Sequence, residues 1–294
     1  VTIALVSARA ARDLDEDLPP LIAALRTLNA PPEVVDWDDP GVDWSAFELA
    51  LLRSTWDYAT RLAEFFAWLE HVARLTRLVN PLPVVRWNTD KHYLAELARA
   101  GVPAVDSEFV EPGEDASRAL ARFRERHGAG ELVVKPAIGA GSRDAQRHRG
   151  QDTAGIEAHL RRLIDAGRSA LMQPYLGRVD KQGETALIYF AGEFSHAIRK
   201  GALLRTGEGP TDQLFAAETI TPREATPAEL RVGEQTLKAI PFGTLLYARV
   251  DLIRDAHDAP SVLELELTEP SVFLLHDQGS AARFAAAILA WAHP

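Results

Sequence analysis

The first 80 residues alternate short apolar runs with helical patterns, and that alternation leaves few folds open. Ile3–Val6, Glu33–Asp36, Phe47–Leu52 and Leu78–Val79 read as strands. Asp17–Leu28 and Leu62–Leu75 carry apolar residues at helical spacing, with Pro19 and Pro20 tolerated in a first turn whose N–H groups have no partner anyway. Strand–helix alternation of this kind predicts an open parallel sheet. Ligands of such sheets bind beyond the carboxyl ends of the strands. The third strand runs into Arg53-Ser-Thr-Trp-Asp-Tyr58 at that position. A substrate pocket, or a loop with Trp56 plugging the core, would explain that cluster equally.

The remainder is mixed. Asn88 is expected to cap a helix that starts near Lys91 and runs to Ala100. Ser117–Arg126 reads as a helix and Glu131–Lys135 as a strand. A glycine loop at 139–141 follows, then a helix through Ile164. Ala170–Gln173 is a strand stopped by Pro174, and Thr185–Phe190 with Glu193–Lys200 forms a hairpin around Ala191-Gly192. Residues 201–216 are Gly-rich and polar without periodicity, as expected of a mobile loop over a site. Helices are predicted for Glu229–Ile240 and Gly279–Ala292, with a strand pair between them.

That strand pair carries the strongest chemical signal. In Leu263-Glu-Leu-Glu-Leu267, Glu264 and Glu266 share one face of a strand and the leucines the other. In Leu246–Ile253, Arg249 and Asp251 alternate in the same way. A hairpin through Asp255–Pro260 would set Asp251, Glu264 and Glu266 on one wall beside an arginine. Crowded carboxylates repel unless a cation holds them, and hard oxygen ligands with phosphate are how Mg²⁺ is usually bound. A solvated face of an amphipathic hairpin is the competing reading. Upstream, Leu132-Val-Val-Lys-Pro-Ala-Ile-Gly-Ala-Gly-Ser-Arg143 ends a buried strand in a lysine and continues into glycines. Glycines let backbone N–H groups approach phosphate oxygens, and the lysine adds a point charge. The lysine precedes the glycines, so this is no Walker A loop. Gln173-Pro-Tyr-Leu176 frees backbone groups at a strand end, suited to the edge of an adenine or to a plain linker. The nine histidines form no metal-ligand spacing and read as structural or surface residues.

Composition excludes several partners. A net charge of −10 argues against nucleic acid, which needs a basic field. With no cysteine there is no disulfide framework and no thiolate zinc site, which fits a reducing cytoplasm. No apolar run reaches transmembrane length, and Val-Thr-Ile-Ala-Leu-Val lacks the basic flank of a signal peptide, so no membrane partner is expected. A small-molecule substrate fits best, and a homodimer is the commonest assembly for such a chain.

The order of these motifs resembles the ATP-grasp superfamily of ligases along nearly the whole chain. The resemblance implies α/β and α+β architecture: an open parallel sheet domain at 1–85, a connector at 86–110, a central lid at 111–176, and a C-terminal domain at 177–294, the last two clamping ATP. It implies that Lys91 and Lys135 hold the α- and β-phosphates and that the loop with Gly139, Gly141 and Ser142 covers them. Gln173, Pro174, Tyr175 and Leu176 would meet the adenine, and Glu184, with Asp180 second, the ribose. Asp251, Glu264 and Glu266 would bind two Mg²⁺ ions, and Arg249 and Lys200 would steady the γ-phosphate, Lys200 alternatively the substrate carboxylate. The chain departs from the family at Glu266, where an Asn is usual, and at Arg143, where glycine is common. Arg-Ser-Thr-Trp-Asp-Tyr58, Gly183-Glu-Thr-Ala-Leu-Ile-Tyr-Phe190, Phe194-Ser-His-Ala-Ile-Arg-Lys200 and Leu263-Glu-Leu-Glu-Leu-Thr-Glu-Pro-Ser271 are similar to strings of the O-ureidoserine cyclo-ligases. That similarity implies cyclisation of O-ureido-D-serine to D-cycloserine through an acyl phosphate, with Arg53, Thr55, Tyr58 and Ser271 gripping the amino acid. An intermolecular carboxylate–amine ligase and a non-catalytic ATP-binding module are the alternatives.

Overall fold

The computed structural model describes residues 1–209 and 219–292. Three sheets organise it. The first holds β1 (Ile3–Ser7), β2 (Glu33–Asp36), β3 (Leu49–Ser54) and β4 (Arg77–Val79) in the order β2-β1-β3-β4. All its pairings are parallel, as the alternation predicts. β1 is central and buried at every position, which is why its sequence is a continuous apolar run rather than an alternating one. Helix α1 (Leu18–Thr27) begins Leu-Pro-Pro and buries Leu18, Leu21 and Leu25 along one stripe. Helix α2 (Leu62–Val72) buries Phe65, Leu69 and Val72.

Two short helices follow, α3 (Leu82–Asn88) and α4 (Tyr93–Arg99). Asn88 therefore closes one helix instead of capping the next. Its amide donates to Leu265 O at 2.7 Å and accepts from Leu267 N at 2.6 Å, reading the backbone edge of a distant strand. A polar side chain with that use has no local signature. Lys91 lies in the turn between the two helices.

The second sheet has the order β5-β8-β6-β7. Its strands are β5 (Glu108–Val110), β6 (Leu132–Pro136), β7 (Gln146–His148) and β8 (Ala170–Pro174), with α5 (Ala116–His127) and α6 (Thr153–Asp165) packed on it. β5 lies inside the expected connector, so the sheet draws a strand from there. The glycine segment does not lead straight into a helix. It is the loop of a β6–β7 hairpin, pairing Leu132 with His148, and it turns through positive φ at Gly141, Ser142 and Asp144.

The short helix α7 (Val179–Gln182) leads to the third sheet, order β11-β10-β9-β12-β13, which is antiparallel throughout. It contains β9 (Glu184–Phe190), β10 (Glu193–Lys200), β11 (Ile220–Arg223), β12 (Tyr247–Arg254) and β13 (Pro260–Glu266), with α8 (Pro227–Ala239) and α9 (Ser280–Ala292). Thr226 and Glu229 form a reciprocal capping box that starts α8.

The core is divided unequally. Ile3, Leu5 and Leu49 of the first sheet share one cluster with Ile188, Phe190, Tyr247 and Phe284 around the third. The second sheet closes a cluster of its own, with Leu120, Phe123, Val134, Ile156 and Met172. Among the described residues no helix is long and apolar enough to cross a membrane.

Candidate active site

A cavity of about 500 Å³ lies where the three sheets meet. Its charged wall is the β12–β13 pair. Register places Asp251 opposite Glu264 and Arg249 opposite Glu266, so strand alternation alone brings these four side chains to one face. Cations from two other segments meet them, and Arg249 pairs within the wall. Lys91 Nζ is 3.0 Å from Glu264 and 2.9 Å from Gly139 O, tying the hairpin loop to the acidic wall. Lys200, the last residue of β10, lies 3.0 Å from Asp251 and 3.3 Å from Glu184. Arg249 makes a bidentate pair with Asp251, at 2.8 and 2.9 Å, and also contacts Glu266.

These pairings set the ionisation of the wall. Burial resists charging Glu264, but Lys91 and Lys135 overcome it and hold its pKa at about 2. Glu266 goes the other way: burial, with Asp251 and Glu264 alongside, pushes it up to about 7 in spite of Arg249. Burial, aided by Lys91 and Lys200, lowers the Lys135 ammonium. Among the described residues Lys135 has no carboxylate within ion-pair distance, which leaves a desolvated cation facing the cavity.

Beyond the lysines the cavity becomes apolar. Val105, Val133, Val179, Ile253 and Leu263 line it together with Gln173, Pro174, Tyr175 and Leu176. Tyr175 is fixed by Arg147, 3.5 Å above its ring, and by Asp180, 2.5 Å from its hydroxyl. Asp180 is thus spent on structure, while Glu184 faces the cavity. Gly139, Gly141, Ser142 and Arg143 also line it. Leu203 and Leu204 of the 201–216 segment do so as well, and residues 210–216 of that segment lie outside the described residues.

The opposite end is built from segment 268–274. Four consecutive carbonyls in it accept side-chain hydrogen bonds: Thr268 from Tyr247 (2.8 Å), Glu269 from Trp56 (3.2 Å), Pro270 from Arg53 (2.8 Å) and Ser271 from Arg249 (3.0 Å). The next three amides, of Val272, Phe273 and Leu274, donate to the Asp17 carboxylate at 2.6, 3.1 and 2.6 Å. Phe273 sits in the left-handed region at φ +54°.

This arrangement corrects the expectation for Arg53 and Thr55. Neither lines the cavity, whereas Tyr58 and Ser271 do. Arg53 is wholly buried, its guanidinium near the rings of Tyr247 and Phe284, and it holds the loop that carries Ser271. The Thr55 hydroxyl is buried without a hydrogen-bond partner among the described residues. Sequence reasoning also missed Asp15, Asp17, Glu269 and His276 on the cavity wall. Only Glu269, inside the Glu264–Ser271 string, carried any local signal.

The donor set suits a hard divalent cation bound together with phosphate. Among the described residues no three acidic or histidine side chains converge into a closed cage, and Asp251, Glu264 and Glu266 offer oxygens along one edge only. Mg²⁺ is ordinarily held this way, by one or two carboxylates with substrate phosphates and water completing the shell.

Comparison with known proteins agrees with this geometry. The crystal structure of D-cycloserine synthetase DcsG superposes with a TM-score of 0.93 at 40% identity, covering 99% of this chain and 100% of that one. D-alanine–D-alanine ligase from Bacillus anthracis shares the fold, with a TM-score of 0.67 at 16% identity over 99% of this chain and 96% of that one. So does the ATP-grasp ligase PsnB bound to its precursor peptide and AMPPNP, with a TM-score of 0.65 at 19% identity over 99% and 98%. Fold and site together define an ATP-grasp protein, an ATP-dependent ligase. Residues 3–80 match the family model for the D-cycloserine synthetase DcsG N-terminal domain. Cycloserine biosynthesis protein DcsG of Streptomyces lavendulae is 41% identical over 295 residues, 97% of each chain. The chain belongs to the DcsG family.

Proposed function

We propose that the protein closes O-ureido-D-serine to D-cycloserine at the expense of ATP. What supports this most is the pairing of a cation-rich, carboxylate-lined wall with a cavity whole enough to hold nucleotide and amino acid together, in a chain 41% identical to a cycloserine biosynthesis protein. In this reading the apolar end receives the adenine against Leu176 and Val179, and Glu184 meets the ribose. Lys91 and Lys135 hold the α- and β-phosphates under the loop of Gly139, Gly141 and Ser142. Asp251, Glu264 and Glu266 would hold two Mg²⁺ ions, which when bound neutralise charge on the β- and γ-phosphates.

Lys91, Lys200 and Arg249 lie on carboxylates at 2.8–3.3 Å. When phosphates arrive, Lys91, Lys200 and Arg249 would exchange those partners for phosphate oxygens, which would leave the carboxylates free to hold a divalent cation. Arg249 and Lys200 then stabilise charge as the γ-phosphoryl group passes to the substrate carboxylate, which is most of what such a transfer needs. The product is an acyl phosphate. The ureido nitrogen bonded to oxygen attacks the acyl carbon, its proton is lost, phosphate leaves with the bonding pair, and the five-membered ring closes. Water then removes the carbamoyl group as carbon dioxide and ammonia. Tyr58 and Ser271 border the amino acid, and walls that exclude bulk water protect the acyl phosphate. The lack of cysteine suits a reducing cytoplasm.

The test is ADP and phosphate release with Mg²⁺-ATP and O-ureido-D-serine, with the L enantiomer and amino acid plus amine mixtures as controls. Release with the D compound alone, together with cycloserine as product, is the expected result. Release only when a second amine is supplied would move the protein to the intermolecular ligases.

A further inference from the structure

One buried acid of the cavity has no hydrogen bond or ion pair to its carboxylate among the described residues. Glu269 is 8% exposed and lines the cavity, as do Ser271, Trp56 and Tyr58. Among the described residues no hydrogen bond or ion pair reaches its carboxylate; the bond from Trp56 goes to its backbone oxygen. Most other acids of the cavity are engaged, although the second Asp15 oxygen is buried without a hydrogen-bond partner among the described residues. Glu264 has Lys91, Asp251 has Lys200 and Arg249, Glu266 has Arg249, and Asp17 has three amides. Asp15 keeps one oxygen on the Asp17 amide at 3.0 Å and has Arg53 close by, and Glu16 is exposed to solvent.

We propose that Glu269 is the residue that reads the α-ammonium of the amino-acid substrate. The inference rests on the amino-acid ligase reading above, and it adds which group selects an amino acid over a plain carboxylic acid. An α-amino acid carries its ammonium one carbon from its carboxylate. The carboxylate must approach Arg249 and the acidic wall to be phosphorylated. Glu269 follows Glu266 by three residues and lines the same cavity as Arg249. Trp56 and Tyr58 line the same cavity, and aromatic ring faces attract cations. Burial, with Glu266 nearby, pushes its pKa up to about 8 in spite of Lys91 and Arg249, and a cation bound beside it would favour the charged form. An arriving ammonium supplies that cation, and the charge-assisted bond forms in a desolvated pocket where it counts most. The backbone on both sides of Glu269 is held by Tyr247, Trp56 and Arg53, so the acid is presented by a fixed segment.

The experiment compares kcat/KM for O-ureido-D-serine and for its des-amino analogue, a ureidooxypropanoate, in wild type and Glu269→Gln. Wild type is expected to prefer the amine-bearing compound by about 10- to 100-fold, the worth of one hydrogen bond to a charged group. Glu269→Gln should bring that preference close to unity through KM for the amino acid, with KM for ATP unchanged, and Glu269→Asp should restore part of it. Thermal unfolding of each variant separates a folding defect from lost recognition. An equal fall for both compounds, or an intact preference, overturns the inference. Loss of preference in Asp15→Asn but not in Glu269→Gln would place the ammonium on the other acid and overturn it too. If wild type leaves O-ureido-D-serine untouched, the cyclisation reading fails separately. The same comparison is then made with whichever amino acid supports ADP release and its des-amino form, and Glu269 stands or falls on that result.

Discussion

The two ends of the cavity are built in opposite ways. At the phosphate end, side chains hold side chains: Lys91, Lys200 and Arg249 rest on Glu264, Asp251, Glu184 and Glu266. At the amino-acid end, side chains hold backbone, and segment 268–274 is fixed at seven successive positions from outside itself. Side-chain ion pairs exchange when a better partner arrives. Backbone held by buried donors does not. On the proposed function, the first end would rearrange its contacts on loading, whereas the second is already shaped.

The sharpest way to probe this contrast is at Lys135, which has no carboxylate within ion-pair distance among the described residues. Lys135→Met should lower ADP release about 10²- to 10³-fold, as expected when a preorganised charge is removed from a transferring group, and leave the melting temperature nearly unchanged. A large fall in stability instead would show that Lys135 supports the fold and not the phosphates. The next largest effect belongs to the other end. Asp17→Ala strands three buried amides and should cost about 2–3 kcal/mol in urea unfolding while raising KM for the amino acid but not for ATP. An equal rise for both would mean that the two ends are not independent.

A smaller effect separates the second sheet from the rest. His159 Nδ1 and His148 Nε2 are 3.0 Å apart under that sheet, and burial, with Arg162 and His148 near, lowers the His159 pKa from 6.5 to about 4. The folded state then refuses a proton that the unfolded chain accepts. Stability is full above pH 6.5 and falls as pH drops through the interval down to about 4, by on the order of 2 kcal/mol. Hydrogen exchange should show that loss in β6–β8 and not in β9–β13, and His159→Phe should flatten it. Equal loss in both sheets would mean that the separate core around Phe123 and Ile156 does not unfold separately.

Which parts were legible in the sequence follows from the same contrast. Arg249, Asp251, Glu264 and Glu266 could be placed on one face because strand alternation is local and β12 pairs with β13 through a short turn. Lys135 and Lys200 end strands whose apolar runs are evident. The parallel sheet was equally open, since helix and strand periods differ. Asp17 was not legible: it looks like a helix cap but serves amides 255 residues or more away. Asn88 misled in the same way, 177 residues from the carbonyl it reads. Arg53 looked like a substrate residue because it follows a strand, yet it faces a shared core that exists only once α9 and β12 have packed. The loop of Gly139 and Gly141 lines the cavity, but its hairpin was not legible, because β7 is three residues long and mostly polar.

The hanging of segment 268–274 from Asp17, Arg53 and Trp56 has a bearing on descent. Asp17, Arg53 and Trp56, which hold that segment, lie near the front of the chain, whereas the β12–β13 wall lies near its end. Mutation can therefore retune one inheritance without disturbing the other. Relatives that diverge around positions 11–60 should be those that have changed what they join, and an exchange of that stretch alone would be the shortest route to a ligase with the same energy source and a different product.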